Sequence, residues 1–333
     1  EKAQEEMLPA YMILSNVDIY SVAKDKPTSF SELLNVHGFG ERKVEKYADL
    51  IESCDTGTDM ANRPQLKHMK LQGFAGGGKS HFALTTFAHL SEGKDPDACL
   101  CTIIDCDLEG QTALVKREDI IPSELRSRLI RKVCRTPADV NEIALAFIDL
   151  HRQHQEKYPD GCRVLIFENE AAFYVGCRDY YSHEVHGKSE ADLMLARQTQ
   201  AIAEGKKTLP AFKEGQMHSY KVINKMFFTP YERIKIAAEM FQFNFISTTL
   251  LREYTEGYGT ANEKRVITAA GRADMTDPIF DWIIEFHQQQ RAKGKEIKTR
   301  HIAIVRKSRT CEPFQLMHPT QEKFWKAVED NSQ

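Results

Sequence analysis

No run in this sequence is long and apolar enough to span a bilayer, and no secretory signal is visible. Membrane-spanning and exported classes are therefore not expected. The eight cysteines are scattered, without paired C-x-x-C spacing. Cys99, Cys101 and Cys106 lie along one apolar run, where buried, reduced thiols are expected. The expectation is a cytoplasmic, reducing compartment. There is no internal repeat and no low-complexity tract. Nor is there a large charge of either sign. The net charge is −3, so any nucleic-acid binding has to come from a local patch. The chain opens on Glu1-Lys2-Ala3-Gln4 without an initiator Met, as a piece of a longer protein would. What is present is ordinary for a globular chain: 41% hydrophobic and 28% charged residues over 333 positions. That length suits one large domain plus a smaller module.

The most specific motif is Gly73-Phe74-Ala75-Gly76-Gly77-Gly78-Lys79-Ser80, which fits G-x-x-x-x-G-K-[ST], the phosphate-binding P-loop. Glycines let the backbone wrap an anion and turn its N–H groups inward. Lys79 is expected at the β- and γ-phosphates of ATP, and the Ser80 hydroxyl on Mg²⁺. The motif needs a strand before it and a helix after it. Lys67–Gln72 and His81–Leu90 supply them, with His81 at a helix N-terminus facing the phosphates.

Two further apolar strands end in acids. Ala98–Asp105 is followed at once by Asp107, Glu109 and Gly110, and Arg163–Glu168 by Asn169 and Glu170. Carboxylates delivered at the C-terminal ends of strands are where α/β sheets hold ligand chemistry. Glu168 has the position of a Walker B acid, and Ser80, Asp105 and Glu168 form the expected Mg²⁺ set. Asp139–His154 reads as helix on its apolar spacing, and residues 174–218 read as an insertion or mobile loop for lack of it. His183, His186 and His218 lie there, but no cysteine or carboxylate spacing supports zinc. A long helix resumes at Tyr220. It leads into Phe243–Thr249, a strand whose last residues, Thr248 and Thr249, are candidates for sensing a γ-phosphate. Asp281–His287 and His301–Arg309 alternate as an antiparallel hairpin. Between Arg291 and Arg309 stand eight Lys/Arg and one Glu, a strip suited to phosphate contact.

Ahead of all this, residues 1–54 read as a compact helical module, joined by a polar linker over residues 55–65. Leu8-Pro9-Ala10-Tyr11-Met12-Ile13-Leu14-Ser15, Lys26-Pro27-Thr28-Ser29, and Gly38-Phe39-Gly40 with Lys43 and Tyr47 resemble most of an HRDC domain, the helicase-and-RNase-D C-terminal fold. That resemblance implies weak DNA binding or protein docking. From the P-loop onward, roughly residues 66–320, the order of motifs resembles a RecA-like ATPase core. It is most similar to the phage-type ATPases grouped with single-strand annealing recombinases. The resemblance implies a mostly parallel central sheet in an ATPase domain over 66–325. It also implies Mg²⁺-dependent ATP hydrolysis, work on single-stranded DNA in recombination or annealing, and a homo-oligomer. In such a core an acid just after the second strand activates water. Asp107 and Glu109 both stand there, and a Glu before Gly favours Glu109. Lys307 and Arg309 resemble the basic pair inserted into a neighbour's ATP site. Two other readings stay open: a nucleotide-switched assembly or sensor protein whose small module docks a protein, and a hexameric helicase-type motor.

Overall fold

The apolar runs of the sequence become neighbouring strands of one sheet. The computed structural model describes residues 68–106, 120–205, 220–256, 264–269, 276–293, 296–308 and 313–331. The chain divides into two units, Glu1–Gln65 and Leu66–Gln333, and all the described residues belong to the second. Its strands are β1 His68–Gly73, β2 Cys99–Asp105, β3 Leu129–Val133, β4 Cys162–Glu168, β5 Asn244–Glu256, β6 Lys264–Ala269, β7 Trp282–Lys293, β8 Glu296–Lys307 and β9 Gln315–Met317. The longer helices are α1 Lys79–Leu90, α2 Pro137–Lys157, α3 Glu170–His186, α4 Glu190–Ala203, α5 Tyr220–Phe241 and α6 Gln321–Asn331.

The sheet runs β3-β2-β4-β5-β1-β7-β8-β9, with β6 paired to β5 off this path. From β3 to β7 every pairing is parallel. β8 and β9 each turn back antiparallel on the strand before. This is the α/β architecture with a mostly parallel sheet that the sequence implies. Parallel strands need crossovers, and the crossovers cover both faces with helices. On one face α1 and α6 close over Met69, Leu71, Ile103, Ile166, Ile246 and Ile284. On the other, Ile104, Phe167 and Phe245 pack with Phe147 of α2, Phe173 of α3, and Phe227 and Tyr231 of α5.

β1 shows what double burial requires. His68-Met69-Lys70-Leu71-Gln72 alternates like a half-exposed strand, yet all of it is buried. Met69 and Leu71 face α1. The polar set faces the other layer, and acids meet it there. His68 Nδ1 lies 3.1 Å from Asp281, and Lys70 Nζ 2.7 Å from Asp277 and 3.0 Å from Glu170.

Helix ends follow local chemistry. Thr136 and Asp139 form a reciprocal capping box around Pro137 at the start of α2. Within 174–218, expected as an insertion or mobile loop, residues 174–186 and 190–203 are helical, which removes the loop reading there. Asn169 caps α3, Gly187 ends it in a left-handed conformation, and Ser189 caps α4. Among the described residues no helix is long and apolar enough to cross a membrane.

Candidate functional site

Because β1, β2, β4, β5 and β7 are parallel, their C-terminal ends share one edge. Asp105 is level with Glu168, Phe167 with Ser247, Leu71 with Thr248, and Gly73 with both Leu250 and Phe286. The P-loop leaves β1 at that edge and turns into α1. Gly76 and Gly78 both take positive φ, 73° and 97°, and Gly78 is the residue that opens the helix. A side chain is strained in that conformation. Gly73 is required for a different reason. A Cβ there would lie 2.7 Å from the Phe286 carbonyl oxygen, so β7 can pass under the loop only because Gly73 has none. From β7, Gln288 Nε2 donates to the Gly76 carbonyl at 2.5 Å and steadies the loop tip.

Lys79 is buried at the first turn of α1, and its ammonium donates to the carbonyls of Gly73 at 2.9 Å and Phe74 at 3.0 Å. These are neutral acceptors, and a phosphate oxygen competes well with them. Ser80 Oγ donates to Glu168 Oε1 at 2.7 Å, which joins the first turn of α1 to the end of β4. The other oxygen, Oε2, is buried without a hydrogen bond that meets ordinary geometry. Burial pushes the Glu168 carboxyl above the usual carboxylate range, and the Asp105 charge adds to this. Ser80, the neighbouring Thr248 hydroxyl and Lys79 pull the other way. Thr248 does so without completing a well-formed hydrogen bond to the acid. A hydroxyl and a buried carboxylate with a spare oxygen, meeting at a helix N-terminus, are a fitting donor set for a hard divalent cation beside phosphates.

The remaining expected residues separate. Asp105 is on the same edge and fully buried, but Arg131 of β3 binds its Oδ2, with Nε at 2.6 Å. That ion pair occupies Oδ2, and of the three residues expected around Mg²⁺ the geometry brings Ser80 and Glu168 into direct contact. Side chains alternate along β5, and Ile246 faces α1 while Phe245 faces α5. Thr248 therefore lies on the P-loop face beside Glu168, and Thr249 on the opposite one. His81 is exposed beside the loop. Lys307 ends β8, whereas its side chain, Arg309, Asp107 and Glu109 lie outside the described residues.

Three features are not evident from spacing. A cavity of about 720 Å³ runs from Gly76–Phe82 across Phe286 and His301 to His318–Thr320. Arg131 belongs to a short, mixed edge strand with no apolar run to mark it. Behind the loop, Lys70 and Glu170, both fully buried, form an ion pair that Thr276 and Asp277 complete. Burial pushes the Glu170 carboxyl up, while Lys70 and Thr276 hold it down.

Comparison with known proteins reaches the other unit. An HRDC domain matches residues 1–54. The module expected from Leu8–Ser15 and Gly38–Gly40 is thus supported, and its structure lies outside the described residues. Among curated proteins, none matches the chain.

Proposed function

We propose that the protein binds ATP at the Gly73–Ser80 loop and hydrolyses it in a RecA-like core, with nucleic acid as the partner that this turnover serves. The observation that carries the reading is the meeting of a glycine-built loop at the end of a central parallel strand with the Ser80–Glu168 pair at 2.7 Å. The amides of Gly76 to Ser80 and the N-terminus of α1 attract the phosphates. Lys79 exchanges its loop carbonyls for β/γ oxygens. Ser80 and Glu168 would hold Mg²⁺, which when bound neutralises charge developing on the transferred phosphoryl group. Thr248, beside Glu168, has a hydroxyl to spare toward the γ-phosphate. The water-activating acid is Glu109 or Asp107. Lys307 and Arg309 complete a neighbour's site in an oligomer, and the HRDC module adds a grip on nucleic acid or a docking partner.

The test is ATP turnover with and without single-stranded DNA, across a range of protein concentrations. The reading expects Mg²⁺-dependent hydrolysis that rises with DNA and with protein concentration. Turnover indifferent to DNA, with the HRDC module retaining a protein ligand, would favour a nucleotide-switched assembly protein. Directional unwinding by a ring would favour a helicase-type motor.

A further inference from the structure

We propose that the base and ribose of the bound nucleotide sit against His301 and the His318–Pro319–Thr320 turn, so that the C-terminal helix α6 is part of the nucleotide site. This rests on the P-loop reading and adds the part of the ligand that the P-loop does not recognise.

The argument comes from the two ends of one cavity. The phosphate end is lined by Lys79 and Ser80, and Ser80 reaches from it to Glu168 of β4. β4 lies to one side of β1, beyond β5. The cavity extends to the other side of β1, past Phe286 of β7 and His301 of β8, to the turn between β9 and α6. A nucleotide with its terminal phosphate toward Glu168 therefore directs its nucleoside toward His301 and His318. The lining changes character in the same direction. Backbone amides and an ammonium give way to a phenyl ring, two imidazoles, a prolyl ring and a hydroxyl, and among the described residues no carboxylate lines the cavity. Flat rings with few polar groups suit a purine and its sugar rather than more phosphate.

The seat is built on rigid parts. The His318 amide donates to the His301 carbonyl at 2.7 Å, which ties the two imidazole-bearing residues together across β8 and the end of β9. His318 takes a φ of 50°, an unfavourable conformation for a residue other than glycine, and such strain collects at functional positions. Thr320 then accepts the Phe324 amide on its carbonyl and the Lys323 amide on its hydroxyl as α6 begins. α6 is fastened to the P-loop helix itself. Gln321 Nε2 donates to the Phe82 carbonyl and to the Thr85 and Thr86 hydroxyls at 2.9–3.1 Å. Phe324 is wedged edge-on between Phe82 and Trp282. The distance from loop to seat is thus set by one helix packed on another.

Equilibrium binding separates this proposal from the reading beneath it. Wild type and His301→Ala/His318→Ala are titrated with ATP and with inorganic tripolyphosphate, both with Mg²⁺, after thermal melts show both proteins folded. We expect wild type to bind ATP more tightly than tripolyphosphate. The double variant should lose about tenfold in ATP affinity, the scale of one lost base-stacking contact, and keep its tripolyphosphate affinity within about twofold. Unchanged ATP affinity in the variant overturns the seat. So does an equal loss for both ligands, which would mean that the turn only supports the loop. A wild type that prefers ATP no more than tripolyphosphate overturns it too, with the P-loop intact. If wild type binds neither ligand, the P-loop reading fails and the seat with it.

Discussion

Glu168 is the residue on which metal binding, pH dependence and stability meet. Replacing it with Gln keeps an acceptor for Ser80 and removes the charge. Nucleotide should stay bound while phosphate release falls at least about tenfold, the scale of a lost metal-site carboxylate. The same change should stabilise the fold. Burial raises this carboxyl above its ordinary value of 4.5, so on raising the pH the unfolded chain gives up the proton first. Stability is therefore lost as pH rises from that ordinary value through the raised one, and the loss persists at neutral pH. Glu168→Gln should escape it, melting higher at neutral pH, with a flatter profile on the acid side. A variant that melts lower at neutral pH would contradict the account. The acid itself was legible in the sequence because Val164–Phe167 is an unbroken apolar run that stops at a charge. Which of Thr248 and Thr249 stands beside it was not. That depends on which face of β5 the P-loop helix covers, a fact of packing between residues more than 150 positions apart in the chain.

Among the elements, β1 and α3 are joined through Lys70 and Glu170. Lys70→Met leaves a buried carboxylate without its main partner and should lower stability by about 3–5 kcal/mol. Lys70→Met/Glu170→Met removes both charges and should recover most of that loss, as read by chemical denaturation. Strict additivity of the single losses would show that the two groups do not act as a pair. Strands were easier to read than helices here for a physical reason. β2 and β4 are covered on both sides, and Cys99–Ile104 and Val164–Phe167 are written almost wholly in apolar residues. α3 buries Glu170, Tyr174 and Ser182 along with Phe173 and Cys177, and α4 buries little beyond Ala201, so neither displays a clean apolar stripe. Their caps at Asn169 and Ser189 were the available signal. β3, short and at the sheet edge, carries Arg131 and Lys132 within five residues and looks like loop. α6 escapes notice because its anchoring depends mainly on one amide, Gln321, and one ring, Phe324.

Across the whole molecule, the division at Gln65 suggests that a chain of residues 66–333 should fold and bind ATP as the full chain does, while its binding of single-stranded DNA or a protein partner weakens. Loss of folding on that truncation would mean the two units depend on one another for stability. If Lys307 and Arg309 act in trans, mixing Lys79→Ala with Lys307→Ala/Arg309→Ala should restore part of the turnover that each lacks alone. An arginine finger contributes about 10³–10⁵ in rate in other phosphoryl-transfer systems, so such rescue would be easy to detect. All of this depends on the loop at the end of β1 holding phosphates. The most direct test is a titration of labelled ATP with Mg²⁺ against wild type and Lys79→Ala, each first shown to be folded by its thermal melt. The expected result is saturable binding by wild type and none by the variant, since the loop has lost its only side-chain cation. Equal binding by both, or no binding by wild type, would contradict it.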